Sequence, residues 1–238
     1  MMKKAVVTGG SSGIGKSIVE YLLHAGYEVL FTYFSSHAAA KTITDQFPAA
    51  KSFCADLTKQ DELQSFLREL ESFQPDILVN SYYRGSFIAK YFHKTEFGDF
   101  SKEFENNILP TVAITQSCIS IFRKKKWGRI VNILSSSLRS PALGTGIYNA
   151  NKAYLLQMSK QWSIENVKFG ITSNCISPAF INTDFHKEMD ERQKEIILEF
   201  YPLKEPLQPD DVANLVKMCL DSGVHFTGNH LFLDASNH

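Results

Sequence analysis

Seven short runs rich in apolar and β-branched residues recur along the chain: KAVVTG (4–9), YEVLFTY (27–33), AKSFCAD (50–56), PDILVN (75–80), GRIVNIL (128–134), ITSNCIS (171–177) and HLFLD (230–234). Helix-like stretches fill the intervals at 13–25, 37–47, 59–72, 99–124, 147–169 and 209–221. Strands that look buried on both faces, alternating with helices, build βαβ units around a parallel sheet. The pattern predicts an α/β fold, with one doubly wound domain over residues 1–238, about seven parallel strands and helices on both faces. The length of 238 residues suits one such domain, and no repeat or linker divides it.

Two stretches break the alternation. Residues 81–98 (SYYRGSFIAKYFHKTEFG) are aromatic and irregular, and residues 178–207 run from SPAFINTDF to YPLKEPLQP. Both follow predicted strand C-termini, where open α/β sheets bind ligands, so both read as functional loops or lids. Tyr82, Tyr83, Phe87, Tyr91 and Phe92 could line a substrate channel; core packing or a subunit contact explains them equally well.

VVTGGSSGIGKSI joins the first predicted strand directly to the first helix. Gly9, Gly13 and Gly15 permit a tight turn and let backbone N–H groups approach a pyrophosphate at the positive end of the helix. A dinucleotide fold selective for NAD carries a carboxylate at the end of its second strand, about 20 residues on, for the ribose 2′-hydroxyl. That region reads LFTYFSSH, without one. Ser35, Ser36 and His37, with Lys16 nearby, are instead suited to a 2′-phosphate, which points to NADP(H).

Composition narrows the partners. Twenty-five basic residues balance 25 acidic ones, giving no reason to expect a nucleic acid or an anionic membrane as main partner. The four cysteines are far apart and expected to be reduced, in or near the core, and no spacing suggests a metal. MMKKAVVTGG has too short an apolar run for a signal segment, and none of transmembrane length occurs elsewhere; a cytoplasmic location is expected.

TGGSSGIG, the serine run in NILSSSLRS and the YNANK motif stand in the order and spacing of the short-chain dehydrogenase/reductase family, which the whole chain resembles. Within it the likeness is greatest to bacterial 3-oxoacyl-[acyl-carrier-protein] reductases. The resemblance implies a Rossmann-type fold and a catalytic tetrad of Asn107 (in FENNILPTV), Ser135, Tyr148 and Lys152. It also implies cofactor contacts from Thr8, Gly9, Ser11, Ser12, Gly13, Ile14, Gly15, Ser35, Asp56, Leu57 and Asn80. Tyr148, Lys152 and, in ISPAFINTDF, Pro178, Ile181 and Thr183 complete that set. A homodimer or homotetramer is implied, with acyl carrier protein as a possible partner.

The Tyr148–Lys152 spacing places both side chains on one helix face. A cation about 4 Å from the phenol, at an effective dielectric near 20, would favour phenolate by roughly 4 kcal/mol, or about 3 pKa units. On this reading Lys152 brings Tyr148 towards neutrality and binds ribose. Tyr148 protonates the alkoxide formed by hydride delivery, Ser135 donates a hydrogen bond to the same oxygen, and Asn107 orders a relay water. Ser136 and Ser137 compete with Ser135 for its place.

Several positions depart from the family's pattern. Asn80-Ser81-Tyr82-Tyr83 replaces N-N-A-G, and its tyrosines threaten to crowd the adenosine ribose. Pro178-Ala179 replaces P-G, and Ala235-Ser236 stand where glycines follow the last strand. The run Arg123-Lys124-Lys125-Lys126 reads either as cations at a helix C-terminus or as a dock for an acidic carrier. The expected function is NADPH-dependent reduction of a ketone, best matched by a 3-oxoacyl thioester on acyl carrier protein or coenzyme A. The alternatives are another ketone of specialised metabolism and a non-catalytic nicotinamide-binding regulator.

Overall fold

Seven strands form one sheet: β1 (Lys4–Thr8), β2 (Glu28–Tyr33), β3 (Ala50–Cys54), β4 (Ile77–Asn80), β5 (Gly128–Ile133), β6 (Ile171–Pro178) and β7 (His230–Leu233). Their order is β3-β2-β1-β4-β5-β6-β7, and every neighbouring pair is parallel. The computed structural model describes residues 2–85, 90–181, 183 and 191–237. Phe87, one of the aromatics considered for a channel, lies outside them.

The central strands β1, β2, β4 and β5 are buried on both faces, whereas the edge strand β3 is largely exposed. Ala5, Val7, Val29 and Phe31 point to one side, where α1 (Gly13–His24), α2 (His37–Gln46) and α8 (Pro209–Asp221) pack. Val6, Leu30, Leu78 and Ile130 point to the other, against Phe66 and Leu70 of α3 (Gln60–Phe73) and Ile114, Cys118 and Phe122 of α5 (Leu109–Lys125). Leu155 and Trp162 of α6 (Gly146–Asn166) close a third cluster with Ile108, Leu134 and Cys175. Of the cysteines, Cys118, Cys175 and Cys219 are buried; Cys54 departs from expectation and is exposed at the end of β3.

The helix expected over 99–124 is two helices, α4 (Phe97–Asn107) and α5, meeting at Ile108. Pro110, in the first turn of α5, has no N–H to offer the carbonyl of Asn106 four residues back. The hydroxyl of Tyr82 donates to that carbonyl instead, at 3.0 Å. The excursion at 178–207 holds one helix that the pattern did not separate, α7 (Glu191–Phe200).

β1 leads outward to β2 while β4 leads the opposite way to β5, so their C-terminal ends diverge and open a crevice. Thr8 and Asn80 pair at that last rung. Beyond it, the Thr8 hydroxyl accepts the N–H groups of Ser81 and Tyr82, both at 3.1 Å. After β7, Ala235 (φ 50°) and Ser236 (φ 61°) occupy the left-handed region that glycine would hold without strain.

Tyr82→Phe should destabilise the protein by about 0.5–1.5 kcal/mol in urea unfolding, because a part-buried carbonyl loses its donor; no measurable loss would show that the Tyr82 bond is not what satisfies Asn106. Ala235→Gly should stabilise by about 0.5–1 kcal/mol in the same assay, and destabilisation would contradict the strain described.

Candidate active site

A cleft of about 1220 Å³ opens at the crevice between β1 and β4 and runs along the C-terminal edge of the sheet. Its described lining includes two cations, Arg84 and Lys152, and no carboxylate. Among the described residues no group of three or more His, Cys, Asp or Glu could hold a metal ion.

The turn from β1 into α1 forms one wall. Gly9 N–H donates to Thr32 Oγ1 (3.0 Å) and Gly10 N–H to Thr32 O (2.9 Å), which fastens the turn to β2. A Cβ on Gly15 would lie 2.1 Å from the Gly9 carbonyl oxygen, so the turn closes this tightly only with glycine there. Lys16 N–H bonds back to Ser12 O (3.1 Å) and the first turn of α1 has no acidic residue. The N–H groups of Gly13, Ile14 and Gly15 therefore point out of the helix end. This uncapped cradle fits a dinucleotide pyrophosphate.

At the middle of the cleft, Tyr148 is hydrogen-bonded to Ser135. The Ser137 hydroxyl sits between Ser135 Oγ (2.8 Å) and Asn149 Oδ1 (2.6 Å), while Ser136 opens a single 3-10 turn. Of the three serines, Ser135 is thus the one the fold brings to the phenol. Lys152 is buried and donates to the Ile133 carbonyl at 2.9 Å.

The electrostatics differ from the expectation. Burial pushes the Tyr148 phenol up to about 12, against a small lowering by Ser135. Burial likewise pushes the Lys152 ammonium down to about 8. The lysine nitrogen stands 5.6 Å from the Tyr148 ring centroid and donates to the Ile133 carbonyl. Desolvation outweighs the charge that spacing alone suggested.

Asn107 is also placed otherwise than expected. Its Oδ1 accepts Arg84 N–H (2.5 Å), and its Nδ2 donates to Glu103 Oε2 (3.1 Å) and Arg84 O (3.3 Å). Its side chain grips the loop after β4 rather than facing the cleft. Both of the loop's tyrosines line the cleft. Tyr82 turns back towards α4, and Tyr83 packs edge-on to Tyr148 (5.1 Å) with its hydroxyl on Glu103 Oε2 (3.0 Å).

Of the remaining expected cofactor residues, Ser11, Ser12, Ser35, Leu57, Pro178 and Ile181 line the cleft. Thr8 and Asn80 act from behind it: Asn80 Nδ2 donates to Asn132 Oδ1 (2.8 Å) and Thr115 Oγ1 (3.0 Å). Asp56 is buried just beyond the lining, and Thr183 stands beside Gly13. Lys16 and His37 do not line the cleft; Lys16 pairs with Glu20 (3.6 Å) and His37 packs on Tyr33. Tyr91 and Phe92 are exposed outside it, Phe92 at a smaller neighbouring cavity.

The basic run is largely structural. Arg123 Nε donates to Asn166 Oδ1 (2.7 Å), and Lys125 Nζ donates to Asp76 Oδ1 and Gln74 O (each 2.7 Å). It precedes β5 and so lies at the edge of the sheet opposite the cleft.

Sequence reasoning missed Phe34, Arg84, Phe180 and the α7 residues Ile196, Ile197 and Phe200, all of which line the cleft. A single arginine in an aromatic stretch carries no spacing signal, and the apolar face of α7 was hidden in an irregular segment.

The family model described as short chain dehydrogenase matches residues 3–194. Acetoacetyl-CoA reductase of Paracoccus denitrificans is 30% identical, over 91% of this chain and 89% of that protein. The 3-oxoacyl-[acyl-carrier-protein] reductase FabG of Aquifex aeolicus is also 30% identical, over 95% and 93%. Among solved structures, ElxO with NADP bound has a TM-score of 0.88 at 25% identity, over 100% of this chain and 99% of that one. The reductase YwfH, at 21% identity, shares the fold with a TM-score of 0.90, over the same shares.

With its phenol raised to about 12, Tyr148 should remain neutral in the cofactor-free protein. The phenolate absorbance difference between wild type and Tyr148→Phe should stay flat from about pH 7 to pH 9. A step in that window would show that Lys152 acidifies the phenol after all.

Proposed function

The chain belongs to the short chain dehydrogenase family, and on that premise we propose that it reduces a ketone to a secondary alcohol with NADPH, its substrate being a 3-oxoacyl thioester of coenzyme A or acyl carrier protein. The observation that carries the reading is the Tyr148–Ser135 hydrogen bond above a buried Lys152, within a cleft lined by two cations and no carboxylate among the described residues. The two reductases 30% identical to the chain are named for these thioesters, which supports the substrate class. Apolar lining from Pro141, Ala142, Phe180, Ile196 and Phe200 is suited to an acyl chain. Strands drawn from Lys4 to Leu233 into one sheet support reading the whole chain as a single dinucleotide-binding domain.

The pyrophosphate would rest on the turn of Gly9 to Gly15, and the nicotinamide would lie towards Pro178 and Ile181. When bound, the nicotinamide supplies a hydride. Ser135 donates a hydrogen bond to the substrate oxygen as negative charge grows on it, and Tyr148 gives that oxygen its proton. A phenol raised to about 12 holds its proton until an alkoxide of higher basicity forms beside it. Lys152, held by the Ile133 carbonyl beneath the cleft, supplies a positive charge beside the bound ribose and nicotinamide. Asn107 is a positioning residue that holds the loop carrying Tyr83 against Tyr148. Assembly as a homodimer or homotetramer belongs to the same reading, whereas Arg123 and Lys125 of the basic run are tied internally.

NADPH oxidation with acetoacetyl-CoA tests it. Wild type should turn over, and Tyr148→Phe should lower kcat by about 10²–10⁴-fold while NADPH still binds. Full turnover in the variant would remove Tyr148 from its role, and no turnover of any 3-oxoacyl thioester by wild type would remove the substrate class.

A further inference from the structure

The end of the cleft at Phe34 and Ser35 is built around Arg84. Its guanidinium lies 4.1 Å from the centroid of the Phe34 ring and bonds Asp56 Oδ2 through Nη2 at 3.2 Å. Its backbone is held on both sides by one amide, Asn107 Oδ1 taking its N–H and Asn107 Nδ2 donating to its carbonyl. Phe34 leads directly into Ser35 and Ser36, which line the same cleft. Lys16 and His37, the cations expected there, do not line it, and Lys152 belongs to the Tyr148 end. We infer that Arg84 is the residue that recognises the adenosine 2′-phosphate, exchanging Asp56 for the phosphate when the nucleotide enters. The inference rests on the reading that the cleft takes NADP(H).

The exchange is physically easy. The Arg84 side chain is one-third exposed and reaches Asp56 through one long hydrogen bond, so little holds it there. Asp56 is not stranded by the move, because its Oδ1 keeps the Thr58 hydroxyl (2.8 Å) and Thr58 N–H (3.2 Å). A phosphate dianion offers a guanidinium two parallel acceptors, a stronger arrangement than a single carboxylate contact. The Phe34 ring that the guanidinium stacks on is followed directly by Ser35, which lines the same cleft. A nucleotide with a bare 2′-hydroxyl has no charge to draw Arg84 across. The selectivity therefore comes from the loop after β4 rather than from the end of β2.

Calorimetric titration of the whole protein with adenosine 2′,5′-bisphosphate and with 5′-AMP reads this end of the cleft without turnover. Wild type should prefer the bisphosphate. Arg84→Gln should cut bisphosphate affinity by about 10–100-fold and leave 5′-AMP within about threefold. Lys16→Gln should change neither. An unchanged thermal midpoint and near-ultraviolet circular dichroism confirm that Arg84→Gln is folded. Equal loss of both nucleotides in Arg84→Gln, retention of the preference, or its loss in Lys16→Gln instead would each overturn the assignment. If wild type binds NADPH yet Arg84→Gln keeps its selectivity, only this inference fails. If wild type binds neither NADPH nor NADH, the cofactor reading fails with it.

Discussion

The diverging ends of β1 and β4 are the constraint on which the rest of the site depends. Parallel pairing runs up to Thr8 and Asn80 and then stops, and the Thr8 hydroxyl takes over by accepting the next two N–H groups of the departing chain. From there the loop is fastened twice more, by Tyr82 to the α4 carbonyl of Asn106 and by Arg84 to the Asn107 amide. Those bonds deliver two neighbouring side chains to different parts of the cleft. Tyr83 goes to Tyr148 and Arg84 to Phe34. With the loop so tightly tied, the replacement of two small residues by tyrosines reshapes its surroundings without closing the cavity.

Burial rather than charge sets the acidities at the centre. In water a tyrosine and a lysine titrate within about half a unit of each other. Enclosure acts on them in opposite directions, because it penalises the charged form of each: phenolate in one case, ammonium in the other. The phenol rises and the ammonium falls, which leaves a neutral tyrosine above a comparatively acidic lysine. An anionic ligand entering the cleft would favour the charged lysine again, so ligand binding and the protonation of Lys152 are thermodynamically linked.

Much of the fold was legible because parallel strands covered on both sides leave unbroken apolar runs, and all seven appear where such runs stand. The break at Ile108 was signalled by Pro110, since a proline inside a helical stretch withholds a hydrogen bond and ends or kinks the helix, but the apolar pattern running across it masks the break. At the site, the order of glycine turn, serine, tyrosine and lysine was enough to bring Ser135, Tyr148 and Lys152 together. What spacing cannot convey is direction. Asn107 faces the loop instead of the cleft, Lys16 faces Glu20, and Tyr82 points back into the protein. For Asn107 and Tyr82 the direction depends on partners 23 and 24 residues away along the chain.

Tyr82 and Pro110 carry a historical implication. The tyrosine hydroxyl has a partner because the proline withholds an N–H, and the proline is tolerated because the tyrosine supplies a replacement donor. Either residue changed alone alters the pairing of the Asn106 carbonyl, by leaving it without a protein donor or by offering it two competing ones. Substitutions at these positions are therefore not independent, and the order in which a lineage acquired them would have been restricted. The same pairing makes residues 82 and 110, separated by most of a loop and a helix, a couple that sequence variation among relatives would be expected to change together.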